Sequence, residues 1–356
     1  MSKFFSQKHS ELIAYTPGEQ PKDRRYIKLN TNESPFPPSP FVIDAVKRAA
    51  ENLQLYCDPE TTALHNALAE YYGVERKNVI TGNGSDEVLN FAVMAFCDEN
   101  TPLIFPEITY GFYSVFAKVN GVPYETVALK DDFTVDVDGF LNKNGTIVIA
   151  NPNAPTGIAL TLDEIEKIVR SNANNVVIID EAYVDFGGES AVELTKKYEN
   201  LLVVQTFSKS RSLAGGRLGF GIASEGLIND LTTMKYSTNP YNVNSMTQAA
   251  GLAAITDTAY FEKNVQTIIK NREYTREELV KRGFESLDSK TNFVFAKKQG
   301  VDGEKLYLAL KEKGVLVRHF KNEKIKDFNR ITIGTKAQMT ALIQAIDEIL
   351  SEGEQV

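Results

Sequence analysis

Cysteine and histidine are scarce in this sequence, which has Cys57, Cys97, His9, His65 and His319 among its 356 residues. Two cysteines are too few for a disulfide framework, and they form no CxxC or Cys/His pattern of the kind that binds zinc. The three histidines are scattered and show no metal-binding spacing. We therefore expect no metal site. A single disulfide between the two cysteines remains an alternative, but the favoured interpretation is two reduced, half-buried thiols.

Long apolar runs are also missing. No stretch approaches the about 20 apolar residues that a helix needs to span a bilayer. Residues 1–8 lack the apolar core of a signal peptide. These two observations predict a cytoplasmic protein that does not enter a membrane.

Positively charged residues are fewer than negatively charged ones. The sequence has 39 Lys and Arg residues and 47 Asp and Glu residues, which gives a formal net charge of −8. The chain otherwise has the composition of an ordinary globular protein, with 42% hydrophobic and 24% charged residues. An acidic chain argues against an extended nucleic-acid or anionic-membrane surface, since both favour positively charged partners. Anionic ligands must therefore be met by a few well-placed cationic groups.

Short, wholly apolar segments alternate with amphipathic stretches in the middle of the sequence. We predict strands at residues 79–81, 103–105, 147–149, 176–179, 201–204 and 220–223. Strands that are apolar throughout are typical of a sheet buried on both faces. Helices are predicted between them, one at 41–55 and one opened by the capping-box spacing of Thr161 and Glu164. This alternation predicts an α/β fold with a mainly parallel, doubly wound sheet.

The pattern changes at both ends of this region. Residues 1–38 are rich in proline and predict an extended arm with turns, which we expect to pack with the C-terminal part of the chain. Residues 39–245 form the predicted large domain. A long amphipathic stretch at 245–281 is followed by fewer strands. Residues 246–356 are therefore predicted to form a smaller α+β domain.

Four polar segments follow predicted strands, at the sheet edge where open parallel sheets bind ligands. In the first, residues 82–87, two glycines precede Ser85 at a predicted helix start. Backbone N–H groups and the helix dipole favour phosphate there. The segment fails the dinucleotide fingerprint because Glu87 replaces the third glycine, and an ordinary turn stays open as the alternative. The second segment, residues 151–157, is a rigid turn that offers asparagine side chains, although a turn without function is also open.

The third segment ends an apolar strand at Asp180. It is similar to the Walker B strand of ATPases, but the phosphate loop of those enzymes requires a Gly-Lys dipeptide, which this sequence lacks. A carboxylate in such a low-dielectric position requires a cationic partner, and a protonated ring nitrogen would serve.

The fourth segment carries Lys209 among hydroxyls and glycines, with Arg217 eight residues later. Most lysines are solvated surface charges, but this one follows a buried strand. A lysine, a buried carboxylate, a phosphate cup and an aromatic face together specify pyridoxal phosphate as the cofactor.

With these segments in this order, the sequence resembles the fold-type I pyridoxal-phosphate aminotransferases over its whole length. The motifs S-K-x-x-x-L-A-G-x-R, D-E-A-Y and N-P-N-x-P-T-G carry the resemblance. Within that class it is similar to the histidinol-phosphate aminotransferases in residues 29–35, in residues 109–113 and in two C-terminal arginines. The resemblance implies transamination of L-histidinol phosphate with 2-oxoglutarate, which gives imidazole-acetol phosphate and glutamate in histidine biosynthesis.

The resemblance also implies the residues that hold the cofactor. Lys209 links to it covalently and moves a proton, Asp180 pairs with its ring nitrogen, and Tyr183 donates to its phenolate oxygen. Tyr110 stacks on the ring. The phosphate is assigned to the backbone and hydroxyl donors and the arginine of the cup, namely Ser85, Asp86, Thr206, Ser208 and Arg217.

Other implied roles concern the partner and the substrate. Tyr56 reaches the cofactor of the neighbouring subunit, which implies a homodimer with shared active sites. Arg330 and Arg318 bind anionic groups of the substrates, and Tyr15 contacts the substrate. We expect no nucleic-acid and no membrane partner.

One position departs from the family pattern. The family's asparagine before Pro-Thr-Gly, which normally bonds the phenolate oxygen, is Ala154 in this sequence. That hydrogen bond is therefore either missing or made by Asn153, and we expect Asn153 to make it.

Related substrates stay open as alternatives. Similar enzymes transaminate aromatic amino acids or, less in keeping with this sequence, decarboxylate threonine phosphate. Arg318 favours a second anionic group, although 2-oxoglutarate alone would justify it. A non-catalytic regulator would need a basic DNA-binding extension, which the sequence lacks.

Overall fold

The computed structural model describes residues 2–10, 12, 14, 16 and 18–351. Strands in the described residues are, in chain order, β1 (Ile27–Lys28), β2 (Val79–Gly82), β3 (Leu103–Pro106), β4 (Tyr124–Val127), β5 (Thr146–Ala150), β6 (Val177–Asp180), β7 (Leu201–Thr206), β8 (Gly219–Ala223), β9 (Phe284–Ser286), β10 (Phe293–Lys298), β11 (Val315–Leu316), β12 (Arg318–His319) and β13 (Asn329–Thr332). The α-helices are α1 (Pro40–Ala50), α2 (Thr62–Tyr72), α3 (Ser85–Phe96), α4 (Tyr113–Asn120), α5 (Leu162–Ser171), α6 (Glu225–Thr238), α7 (Ser245–Thr256), α8 (Thr258–Lys281), α9 (Gly303–Glu312) and α10 (Lys336–Ser351).

The large sheet has seven strands in the order β2-β8-β7-β6-β5-β3-β4. All neighbours are parallel except that β8 runs antiparallel to both β2 and β7. All six predicted strands are present, and the mainly parallel sheet is confirmed. The structure adds β4, an edge strand whose side chains are mostly exposed. It lacks the apolar run that identified the others.

Both faces of this sheet are buried. Successive side chains of a strand point to opposite faces, so each strand contributes to the apolar core on either side. In β5, Ile147 and Ile149 belong to one apolar core, whereas Val148 and Ala150 belong to another. Side chains of α2, α5 and α7 complete the first core, and those of α3, α4 and α6 complete the second. The wholly apolar strands thus supply two cores at once.

The helix opened by the capping box is confirmed at α5, whereas two other predicted helical stretches have different bounds. Thr161 and Glu164 form the predicted capping box. The first helix ends at Ala50 rather than at residue 55, and Leu53, which was expected on its apolar stripe, is 52% exposed. The stretch 245–281 is broken between α7 and α8 at Asp257, whose carboxylate accepts a hydrogen bond from the Tyr260 N–H.

The second sheet has four antiparallel strands in the order β12-β13-β10-β9. It packs with α8, α9 and α10 around a third apolar core. Leu29 is buried in this core, and β1 pairs in parallel with β11. Residues 27–29 of the expected arm therefore lie against the C-terminal part of the chain. The boundaries at residues 38 and 245 stay predictions.

Two further findings concern the described residues as a whole. Within them, no helix combines the length and apolar character needed to cross a membrane. Cys57 and Cys97 are free thiols and are partly buried, as predicted.

Candidate active site

A cavity of about 350 Å³ lies at the carboxyl ends of β2, β5, β6 and β7. Nine residues that were predicted to bind a cofactor line it: Ser85, Asp86, Tyr110, Asp180, Tyr183, Thr206, Ser208, Lys209 and Arg217. Thr31 and Glu33 of the N-terminal segment, together with Ala154, are further lining residues. Residues far apart in sequence therefore converge on one site.

One end of the cavity is rich in hydrogen-bond donors. Helix α3 begins at Ser85, and the N–H groups of a first helical turn have no partner within their own helix. Gly84 has a φ of +85°, and a Cβ atom there would lie 2.5 Å from Nη2 of Arg217. That guanidinium donates to Oδ2 of Asp86 at 3.1 Å. Only glycine therefore lets the arginine pack against the start of the helix.

Two hydroxyls extend this end of the cavity. Thr206 and Ser208 are buried, and their side-chain oxygens lie 3.0 Å apart. Together with the helix start and Arg217 they form a cup whose donors suit a phosphate group. We call the residues Ser85, Asp86, Thr206, Ser208 and Arg217 the phosphate cup.

A buried carboxylate, Asp180, also faces the cavity and is 4% exposed. The hydroxyl of Tyr113 donates to its Oδ2 at 2.8 Å, and the N–H of Ala182 donates to Oδ1 at 3.2 Å. Burial raises the pKa of Asp180 to about 6, although the Tyr113 hydrogen bond opposes the rise. A cationic group in the cavity would stabilise the carboxylate, as the sequence predicted. Tyr113 was quoted in the family motif, but nothing in its spacing indicated this contact.

Lys209 extends into the cavity beside Tyr183. Its Nζ donates to the backbone oxygen of Thr31 at 3.4 Å and lies 5.8 Å from the centroid of the Tyr183 ring. The Tyr183 hydroxyl accepts a hydrogen bond from Nδ2 of Asn32 at 2.9 Å. Asn32 was not predicted as a functional residue.

Tyr110 follows β3 in the sequence and also lines the cavity. Its hydroxyl donates to Oδ1 of Asp86 at 2.9 Å. The side chain of Asp86 therefore joins the predicted stacking residue to the arginine of the phosphate cup.

The structure does not support the expected role of Asn153. Its Nδ2 donates to the backbone oxygen of Ile108 at 3.0 Å and to Oγ1 of Thr156 at 3.1 Å. Its Oδ1 accepts from the hydroxyl of Thr109 at 2.7 Å. The amide is therefore engaged inside its own turn and that of residue 109, and Ala154 stands at the cavity instead.

Three other predicted residues, Tyr56, Arg318 and Arg330, are not among the described residues that line the cavity. Tyr56 is 84% exposed and stacks on Tyr241, with 4.6 Å between ring centroids. Arg318 and Arg330 are direct partners in the β12–β13 pairing, and Nη2 of Arg330 donates to the backbone oxygen of Asn30 at 3.1 Å. Tyr15 lies outside the described residues. The roles of these four residues stay predictions.

Glu181, the residue after Asp180, is also buried but points away from the cavity. It accepts hydrogen bonds from the Ser190 hydroxyl, the Ala191 N–H and Nε2 of Gln205. Burial raises its pKa from 4.5 to about 7. The folded state therefore binds a proton more tightly than the unfolded state, so this group lowers stability as the pH rises from 4.5 to 7.

We expect the substitution Glu181→Gln to remove that pH dependence. The free energy of unfolding of the wild type minus that of E181Q should fall by up to about 3 kcal/mol between pH 4.5 and pH 7. Urea unfolding of both proteins across this range measures the difference. A difference that does not change with pH would contradict the assignment.

Comparison with known proteins decides the family. The family described as aminotransferase class I and II matches residues 24–346. The chain belongs to this family. It is therefore an enzyme, and the fold-type I prediction is confirmed.

Two relatives and one solved structure place this aminotransferase more closely. A histidinol-phosphate aminotransferase of Brachyspira hyodysenteriae is 50% identical over 98% of this chain and 99% of its own. One of Clostridium acetobutylicum is 47% identical over 99% of this chain and 100% of its own. The structure of the Sinorhizobium meliloti histidinol-phosphate aminotransferase, in complex with pyridoxal-5'-phosphate, matches with a TM-score of 0.89 at 23% identity over 99% of both chains. The last likeness concerns the fold.

Proposed function

We propose that this aminotransferase uses pyridoxal phosphate to transfer the amino group of L-histidinol phosphate to 2-oxoglutarate, giving imidazole-acetol phosphate and glutamate in histidine biosynthesis. The observation that carries the proposal is the convergence of Lys209, Asp180 and the phosphate cup on one cavity. The names of the two relatives, which match this chain over nearly its full length, support the substrate.

The residues present fit pyridoxal phosphate. The phosphate cup offers backbone N–H groups, two hydroxyls and a guanidinium to the phosphate. Asp180 is the buried carboxylate that the ring nitrogen requires, and Tyr183 offers a hydroxyl to the phenolate oxygen. Lys209 offers the amine for the covalent link, and Tyr110 offers an aromatic face.

When bound, pyridoxal phosphate accepts the electron pair that remains after the α C–H bond of the substrate breaks. Lys209 takes the α-proton on Nζ and returns it in the next step, which makes this amine the general base and acid. Asp180 holds the proton on the ring nitrogen because a cation in that buried position lowers the energy of its carboxylate. Tyr183 holds a hydrogen bond to the phenolate oxygen.

The anionic ends of the substrates need cationic partners outside the phosphate cup. Arg318 and Arg330 stand directly opposite each other in an antiparallel pair. Like charges in that arrangement repel each other, and an anion between or beside them would relieve the repulsion. We therefore assign both arginines to the phosphate or carboxylate of the substrates.

We further infer a homodimer in which Tyr56 reaches the partner's cofactor. Tyr56 is 84% exposed, and Phe41, Leu53 and Leu55 are each more than half exposed on neighbouring segments. Exposed apolar side chains that form one contiguous patch are typical of an interface between proteins, and we assign these four residues to such a patch. The cytoplasmic location stays a prediction.

Titration of the purified holoenzyme with three amines tests the substrate. We expect L-histidinol phosphate to change the visible absorbance of the bound cofactor, because its phosphate reaches the two arginines. Phenylalanine and threonine phosphate, added separately at the same concentration, should leave the spectrum nearly unchanged. A response to phenylalanine alone would reassign the enzyme to aromatic amino acids, and a response with release of carbon dioxide from threonine phosphate would make it a decarboxylase.

A further inference from the structure

A short segment of the chain, residues 30–34, contacts several parts of the site in succession. The backbone oxygen of Asn30 accepts from Arg330, and that of Thr31 accepts from Lys209. The side chain of Asn32 donates to Tyr183. The segment therefore contacts both the cavity and β13, the strand that carries Arg330. Asn32 is the residue of this segment whose hydrogen bonds have a defined donor and acceptor at each end.

Asn32 is held in one orientation by β13. Asn32 is 1% exposed and has a φ of +57°, a left-handed conformation that asparagine tolerates better than most residues. Its backbone N–H donates to Oγ1 of Thr332 at 3.0 Å. The Thr332 hydroxyl in turn donates to Oδ1 of Asn32 at 2.9 Å. A hydroxyl has one proton to donate, so these two bonds leave the amide oxygen facing Thr332 and the amide nitrogen facing away from it.

The second half of the amide faces the active site. Nδ2 of Asn32 donates to the hydroxyl oxygen of Tyr183 at 2.9 Å. An amide nitrogen is a donor only, so the proton of the Tyr183 hydroxyl cannot point back at Asn32. It can therefore be donated only to another acceptor, and the hydroxyl belongs to a residue that lines the cavity.

We propose that Asn32 is a positioning residue that directs the hydroxyl proton of Tyr183 toward the phenolate oxygen of the cofactor, and that Thr332 fixes the orientation of Asn32. The hydrogen bonds then run one way, from the Thr332 hydroxyl to Asn32, from Asn32 to Tyr183, and from Tyr183 to the cofactor. The proposal rests on the proposed use of pyridoxal phosphate, and it does not depend on which amine is the substrate.

The substitution Asn32→Asp tests the direction. Aspartate has nearly the same shape, but its ionised carboxylate only accepts hydrogen bonds, so Tyr183 would donate to it and not to the cofactor. In the wild type, the hydrogen bond from Tyr183 stabilises the anionic oxygen of the cofactor and so favours loss of the neighbouring proton. The substitution removes this bond, and we therefore expect the pH midpoint of the visible absorbance change of the bound cofactor to rise. The midpoint is measured without substrate. The kcat should fall about tenfold with KM within about twofold, the effect of one lost hydrogen bond.

A double-mutant cycle shows whether Asn32 acts through Tyr183. Tyr183→Phe alone should raise the midpoint, and N32D should raise it by less in the Y183F background than in the wild type, because only the added negative charge still acts there. An N32D shift in Y183F as large as that in the wild type, or an unchanged midpoint in N32D, would overturn the proposal. Failure of the folded wild type to bind pyridoxal phosphate would overturn the proposed function and this inference together.

Thr332 provides a second test that leaves the cavity residues intact. Thr332→Val removes the hydroxyl but keeps the shape, and we expect it to raise the midpoint in the same direction as N32D. Thr332→Ser keeps the hydroxyl and should keep the wild-type midpoint. Equal midpoints for T332V and T332S would show that Thr332 does not orient Asn32.

Discussion

Replacing Lys209 with alanine is expected to lower kcat by at least about a thousandfold, to the limit of detection. The reason is that the proposed function gives this one amine two tasks, the covalent link to the cofactor and the transfer of the α-proton. Among the residues that the structure describes, no other lysine lines the cavity. Steady-state turnover of L-histidinol phosphate, together with the visible absorbance of the bound cofactor, measures both losses.

Lys209→Arg is the matched variant, because it keeps a positive charge and a long side chain at the same position. Its guanidinium stays protonated, so it can neither form the link nor accept the proton. We expect it to be as inactive as K209A, which would exclude a purely electrostatic role for Lys209. Turnover by K209A without an added amine would contradict the assignment of this residue.

The substitution Asp180→Asn is expected to lower kcat by about a hundredfold or more, because it removes the negative charge that we propose holds the proton on the ring nitrogen. Loss of one partner from a buried charge pair costs about 3–5 kcal/mol, and each 1.36 kcal/mol corresponds to a factor of ten. The substitution also removes the carboxylate that the Tyr113 hydroxyl contacts at 2.8 Å in the wild type. Single-turnover rates measured by the change in cofactor absorbance separate this effect from slow product release.

Glu181→Gln is the control for D180N. Glu181 is the adjacent residue, is equally buried and loses the same charge, but its carboxylate contacts Ser190, Ala191 and Gln205 rather than the cavity. We expect E181Q to keep kcat within about threefold of the wild type, since the cost of its altered hydrogen bonds affects stability. Equal losses in D180N and E181Q would mean that burial of charge, and not contact with the cofactor, explains the effect.

Much of the sheet could be predicted from the sequence because its strands carry a strong local signal. A wholly apolar run bounded by polar residues has few alternatives, and Asp180, Thr206 and Lys209 take their places from the ends of such runs. The capping box at Thr161 is equally local. Strand β4 could not be predicted because an edge strand with exposed side chains has no apolar pattern.

The contacts between segments could not be predicted in the same way. Asn153 was assigned as the replacement for the family asparagine that is missing at Ala154, yet its amide is engaged by Ile108 and Thr156. Asn32 contacts Thr332 across 300 residues of sequence, and no local pattern reports such a distance. Tyr113 belongs to a family motif, but its bond to Asp180 depends on where helix α4 begins relative to the end of strand β6.

The pairing of residues 30–34 with β13 has a consequence for biosynthesis of the enzyme. Asn32 leaves the ribosome 300 residues before Thr332, and at roughly 5–20 residues per second that interval is about 15–60 s. The large sheet is synthesised during this interval, but Thr332 is not. The hydrogen bonds that we propose to orient Tyr183 therefore cannot yet form. The nascent chain therefore contains Lys209 and the phosphate cup before it contains a complete catalytic site. That site can be completed only after Thr332 has been synthesised, because its hydrogen bond with Asn32 joins segments 300 residues apart.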